Sequence, residues 1–335
     1  MKHLLLLLVA PSLMLAQVPR VGLIDFYGAR HVSTAQLRSV IGVSEGDPLP
    51  PSKADVEDRL ENVSGVVRAR LEAVCCEADK AILYVGIEEK GAPHFDYRVP
   101  PSSAVALPDD LLVTYRQFLT AVGAAVREGE NWESFAHGHS LMKDPACRAL
   151  QLKLEQFAKD NVSLLRDVLR NCSNDEQRAV AAYVVGYAER KRFIVDDLQY
   201  ALRDPSDAVR YNAMRSLTAV AVLATKSPEM SVQVSPTWFV EMLNSLIWGD
   251  RNKAALALVT LTDGRDANTL QQIRENGLDS LLQMAQWRHL EHALPAFILA
   301  GRLAGLSEDE IHKAWDSGDR ATVVKKARET APKKR

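Results

Sequence analysis

The stretch Asp204-Pro205-Ser206-Asp207-Ala208-Val209-Arg210-Tyr211-Asn212-Ala213-Met214-Arg215-Ser216-Leu217 constrains the fold more than any other part of the chain. Proline has no amide to donate, so Pro205 ends the helix that runs through Leu198, Ala201 and Leu202. Ser206 or Asp207 can cap the next helix, on which Val209, Ala213, Met214 and Leu217 recur at helical spacing. One helical corner alone says little. A relative lies one repeat length upstream, where Arg178, Ala181 and Val185 match Arg210, Ala213 and Leu217, and Arg251, Ala254 and Leu258 recur after a longer interval. Copies a few tens of residues apart predict stacked helix pairs, each burying its apolar face against its neighbours.

Asp204-Pro205, Val209-Arg210 and the small residue Ala213 resemble the corner pattern of the HEAT family of helical-hairpin repeats. The pattern is full in that unit, while the position of Asp204 is Cys172 in the earlier copy and Ser245 in the later one. The resemblance implies a scaffold or binding surface for a protein partner.

A chain of 335 residues can bury two cores. Its formal net charge of -2 gives no general attraction for nucleic acid or an anionic membrane, and the basic tail from Lys325-Lys326 to Lys333-Lys334-Arg335 reads as a solvated end. Met1-Lys2-His3 followed by Leu4 to Val9 and Leu13 to Leu15 has the charged start and short apolar run of a secretory signal over residues 1–16. Pro11 interrupts the run, which is short for a membrane span; an uncleaved anchor is the alternative.

Val21 to Gly28 reads as a strand, Ser33 with Gln36 as a capping box opening a helix that Gly42 ends, and Ser52 as the start of a second helix. Val67, Ala69, Leu71 and Ala73 alternate with Arg68, Arg70 and Glu72, and after a turn at Glu77 to Lys80, Ala81, Leu83, Val85 and Ile87 alternate again. This β-α-α-β-β order, with Phe26-Tyr27-Gly28, Ile41-Gly42, Gly46-Asp47-Pro48-Leu49, Leu60 and Gly65-Val66, resembles a POTRA domain over residues 20–91. What that resemblance implies is protein binding, often by adding a partner strand to a sheet edge. The candidate edge is Val67, Arg68, Ala69, Arg70, Leu71 and Glu72; a protected edge that only supports its neighbour is the other reading.

Residues 92–108 hold Pro93, Pro100, Pro101 and Pro108 and predict an extended, hinge-like linker. Helices follow over residues 109–330: one from Asp109, an aperiodic stretch at Asn131 to Leu141, one opened by Asp144-Pro145, the repeats, a helix from Phe239 to Leu261, one through Leu290 to Leu303 kinked or split by Pro295, and a capping box at Ser307 to Glu310. The fold class expected is α+β and mainly α, a small sheet domain followed by a helical repeat array.

Little chemistry is legible. No phosphate loop, dinucleotide pattern or nucleophile elbow occurs. His289 and His292 share a helical face without the zinc-protease spacing, and His137, His139 and Glu133 are the polar residues that a ligand-handling site would use. Neither cofactor nor metal is expected, and Trp238, Phe239, Trp248, Trp287 and Trp315 read as core. Adjacent Cys75 and Cys76 read as unpaired or marginally paired, whereas Cys147 and Cys172, nearly equidistant from the Asp160-Asn161 corner, are a candidate disulfide or else two independently buried thiols. The function expected is a non-enzymatic, exported protein-binding scaffold of the bacterial cell envelope, periplasmic or secreted. The alternatives are a component of an outer-membrane assembly or secretion complex, associated with membrane-embedded proteins, and a lyase-type enzyme on a HEAT-like frame.

Overall fold

The computed structural model describes residues 19–331 apart from 131 and 137. The expected leader, His137 and the last four residues of the basic tail lie outside the described residues.

The first unit runs β1 (Val21–Tyr27), α1 (Thr34–Ile41), α2 (Lys53–Glu61), β2 (Val66–Glu77) and β3 (Lys80–Glu89), with strand order β1-β3-β2. β1 lies parallel to β3, which needs a crossover, and α1, α2 and β2 supply it; β2 and β3 form an antiparallel hairpin. Its turn places Ala78 and Asp79 at φ of 47° and 63°, as a tight turn between right-twisted strands requires. Alternation puts Ala69, Leu71, Leu83, Val85 and Ile87 against Leu37, Ile41, Val56 and Leu60 of the two helices. Ser52 caps α2 as expected, but the Ser33 side chain makes no capping bond. The turn before α1 is held instead by Glu89, whose carboxylate accepts from the amides of Arg30, His31 and Val32.

The remainder is helical: α3 (Asp109–Arg127), a hairpin of β4 (Glu133–Ala136) and β5 (His139–Met142), then α4 (Pro145–Asp160), α5 (Val162–Asn171), α6 (Asp175–Val184), α7 (Val195–Ala201), α8 (Asp207–Lys226), α9 (Thr237–Met242), α10 (Trp248–Leu261), α11 (Ala267–Gln272), α12 (Leu278–Met284), α13 (Leu290–Leu303), α14 (Glu308–Asp316) and α15 (Arg320–Arg328). Helices α5/α6, α7/α8, α9/α10 and α12/α13 pair as successive hairpins, and α6, α8, α10 and α13 pack side by side as one inner row that α15 covers at the end. The chain is therefore α+β, mainly α, with a helical repeat array.

The aperiodic stretch contains the β4–β5 hairpin, and Phe239 to Leu261, expected as helix throughout, is two helices separated by a corner at Leu243 to Ile247. Pro295 does not split α13: in the second turn it removes one hydrogen bond, while Ala293, Ala296, Phe297, Leu299 and Ala300 around it are buried.

Arginines six residues beyond each corner stitch the hairpins together. Arg178 donates to the carbonyls of Cys172 and Ser173, Arg210 to those of Asp204 and Pro205, and Arg251 to that of Ser245. The first two also reach the following corner: Arg178 meets both Asp204 oxygens at 2.9 Å, and Arg210 meets Asp250 at 2.9 Å. Ser245 stands where Asp204 would recur, and Asp250, one turn further along, supplies the missing carboxylate while accepting from Ser245 Oγ and the Tyr97 hydroxyl. At the next corner Trp287 holds the position, three residues before its helix as Asp204 and Ser245 are before theirs. Arg251 thus has no acid ahead of it. Its Nη1 has no hydrogen-bond partner, its guanidinium lies 4.6 Å from the Tyr27 ring centroid, and burial lowers its pKa to about 10.

The ladder ends on the sheet unit, whose second face docks on the array. Tyr27, Ile82 and Tyr84 join the helical core, Tyr84 stacking on Trp248 with centroids 5.0 Å apart. The Tyr27 hydroxyl donates to Leu246 O at 2.7 Å, and the Gly28 amide donates to Gln283 at 2.8 Å. Glu72 accepts from the Trp248 amide at 2.7 Å and Asp25 from the Arg288 amide at 2.8 Å, placing carboxylates at the starts of α10 and α13, where the helix dipole favours them. Burial raises the pKa of both. Gly86 permits the approach, since a Cβ there would lie 2.6 Å from Leu246 O and 2.8 Å from the Tyr27 ring.

The expected hinge over residues 92–108 is instead a strap laid across the corners. It is extended, as its prolines dictate, and an extended chain leaves its amides and carbonyls free to pair with the corner backbone. Arg98 N donates to Arg203 O at 2.7 Å, Ser103 N to Asn171 O at 2.9 Å and Ser173 N to Ser103 O at 2.8 Å. Phe95 and Leu107 are buried, and Arg98 adds a second guanidinium to Asp204.

Candidate functional site

The candidate edge residues do lie on a lateral strand, but the strand is not an open template. The outward amides of Ala69 and Leu71 donate to Glu61 and Glu57 of α2 at 3.0 and 2.7 Å, so those positions offer a partner no unpaired donor. Arg68 pairs with Glu88, Arg70 with Glu57, and Glu72 is spent on α10; Val67 is 49% exposed. The acids on α2 carried a signal, since Glu57 and Glu61 are four apart on one helical face.

Cys147 and Cys172 are two buried free thiols, the alternative to the candidate disulfide. The geometric premise fails: α4 lies mainly along α3, and α5 along α6, so α4 and α5 are not the antiparallel hairpin that would level the two residues. Burial pushes the Cys147 thiol up to about 11. Cys75 and Cys76 are instead joined to each other at the exposed end of β2, where the pairing with β3 slips.

The β4–β5 hairpin gathers the polar residues. Ser140 donates to Glu133, which also pairs with Arg215 of α8 at 2.6 Å. On the other strand His139 lies 3.6 Å from Glu155 and 3.1 Å from the ammonium of Lys191, which also donates to Gly186 O at 2.7 Å. Buried Gln151 receives the Met142 amide and donates to the hydroxyls of Tyr183 and Tyr187. Burial lowers Lys191 to about 8, a value that would suit a base or nucleophile. Access decides against that use, because Lys191 is 3% exposed and the void beside it measures about 10 Å³, room for one water. Lys191 and Gln151 were not legible beforehand, since an isolated Lys or Gln carries no mark of burial. His289 and His292 serve docking: the His289 ring accepts the His292 amide at the start of α13, and His292 Nδ1 lies 2.8 Å from the Tyr84 hydroxyl, its pKa lowered to about 4 by burial and by His289.

An open groove lies next to this hairpin, on the inner row. Phe135 of β4, Tyr211, Met214, Thr218 and Ala219 of α8 and Leu256 of α10 line a groove of about 240 Å³. Leu256 is 50% exposed and Trp132, at the hairpin's start, 66%. The ammonium of Lys226 sits 4.8 Å from the Phe135 ring centroid and that of Lys253 5.1 Å from Tyr211, while Arg215 lies 4.6 Å from the buried Tyr183 ring. Such a groove can hold an apolar side chain and attract acidic neighbours. Leu256 was hidden because its helix mixes polar and apolar residues without a distinct apolar face.

Among the described residues no group of His, Cys, Asp and Glu could hold a metal ion, and no helix is long and apolar enough to cross a membrane. No protein-family model and no curated protein matches the chain. Among solved structures it is similar to a designed armadillo repeat protein at 15% identity, over 57% of this chain and 96% of that one, with a TM-score of 0.32. A likeness at that score adds nothing to the helix pairing described above.

Proposed function

We propose that the protein is a non-enzymatic, exported scaffold of the cell envelope that binds protein partners on its helical array. The observation that carries this reading is the inner row α6, α8, α10 and α13, which presents a groove with an apolar lining, while the polar cluster of His139, Gln151 and Lys191 is closed into the packing. The Asp-Pro corner with its stitching arginines fits the HEAT resemblance, and strand order β1-β3-β2 under two helices fits the POTRA resemblance. The sheet unit acts here as a docked buttress: its second face is on the array and the first part of its edge is capped by α2. Membership of an outer-membrane assembly or secretion complex is the form of this function that the POTRA resemblance favours. A lyase-type activity has against it the enclosure of Lys191 and His139.

The test is cross-linking in intact cells, followed by affinity purification from the envelope fraction, alongside a periplasmic reporter fused after Gly91. Recovery of defined envelope proteins with an active reporter supports the reading. An inactive reporter whose location ignores deletion of residues 1–16 defeats export, and a chain recovered alone defeats the scaffold.

A further inference from the structure

We propose that the groove between the β4–β5 hairpin and helices α8 and α10 is the docking site for an extended partner segment that carries an apolar side chain between carboxylates; this rests on the scaffold reading above. Phe135, Tyr211, Met214 and Leu256 supply the apolar half of the groove and surround space for one large side chain, and Leu256 is half-exposed on a helix where the adjacent Ala255 and Ala257 are buried. Exposed Leu256 shares the groove lining with exposed Phe135, the kind of apolar surface that marks an interaction site.

The charge half comes from the rim. Lys226 and Lys253 stand over Phe135 and Tyr211, the two aromatic rings of the groove, and both are exposed. Arg215 and Glu133 on the wall neutralise each other, so the rim is left with the two lysines and a net positive sign. A basic or neutral segment gains nothing from that rim. An acidic one gains two charge contacts, each strengthened where the apolar floor excludes water.

The test uses the full chain in cells with a photoreactive benzoylphenylalanine in place of Leu256, and a control chain with it in place of Leu152, which is 47% exposed on α4. The cross-linked peptide is sequenced by mass spectrometry. The expected adduct is a segment of another protein with Asp or Glu flanking an apolar residue. Its yield should fall about tenfold in the Lys226→Glu/Lys253→Glu variant, an interfacial hot-spot loss, with an unchanged circular dichroism melt. A basic or neutral segment, a second copy of this chain, or an unchanged yield after charge reversal overturns the proposal. Adducts at position 152 but none at 256 overturn the groove and leave the scaffold standing, whereas no adducts at either position overturn both.

Discussion

Asp250→Ala should be among the most damaging single substitutions in the array. Its carboxylate is fully buried and takes Arg210 Nε at 2.9 Å, Ser245 Oγ at 2.8 Å and the Tyr97 hydroxyl at 3.1 Å. Arg210 is 1% exposed and keeps only the Asp204 and Pro205 carbonyls. Breaking a buried pair from one side costs about 3–5 kcal/mol, because the remaining charge stays desolvated. Unfolding entropy of about 2.1 cal/mol/K per residue over 335 residues is about 0.7 kcal/mol/K, so 4 kcal/mol corresponds to a fall of about 6 °C in Tm. The assay is thermal and urea unfolding of the wild type, Asp250→Ala, Arg210→Met and the double variant. The double variant should recover much of the loss, giving a coupling of about 2 kcal/mol or more between the two sites. A single-variant loss below about 1 kcal/mol, or additive losses in the double variant, would refute the claim that Asp250 replaces the carboxylate absent at Ser245.

Acid should weaken the sheet unit through Glu89, which burial pushes up but which the amides of Val32, His31 and Arg30 hold down at about 2. With a folded pKa below the ordinary 4.5, its contribution is present above pH 4.5 and is lost as the pH falls toward 2; Glu89→Gln should cost about 2 kcal/mol at neutral pH and flatten that part of the stability profile, and an unchanged profile counts against the amide nest. Gly86→Val should undock the sheet without unfolding it, seen as new proteolysis within residues 92–108 at preserved circular dichroism; a strap that stays resistant would show that the close contact with Leu246 is dispensable. Denaturation without reductant should allow alkylation of Cys147 and Cys172 but not of Cys75 and Cys76, and a tryptic pair linking Cys147 to Cys172 would contradict the free thiols.

Much of the architecture was legible because it depends on near neighbours in the chain. Pro205 ends α7 through its missing amide, Ser52, Asp144 and Ser307 accept from amides three residues on, and the alternation of Ala69 and Leu71 with Arg68 and Arg70 marks a strand with one buried face. Those are period-and-cap signals, and they survive any tertiary context that keeps the element. The hidden part was the pairing of elements. Matching copies position by position found Ser245 in place of an acid, but one helical turn brings Asp250 to the same corner, a shift that only the packed helix reveals. Cys147 and Cys172 looked level because α4 and α5 adjoin in sequence, whereas α3 takes the place beside α4. The edge of β2 looked open because the acids that close it belong to another element. The groove followed the same logic: Phe135, Tyr211 and Leu256 lie on three elements with no common period, so only stacking of the inner row brings Lys226 and Lys253 over the two rings. Sequence by itself determined most of the segments that form helices and strands, the β4–β5 hairpin and the corner at Leu243 to Ile247 excepted, because the backbone bonds and caps that make them are local. Tertiary structure decided which buried charges meet and which faces stay open, because those depend on distances between residues that the chain separates by tens to hundreds of positions.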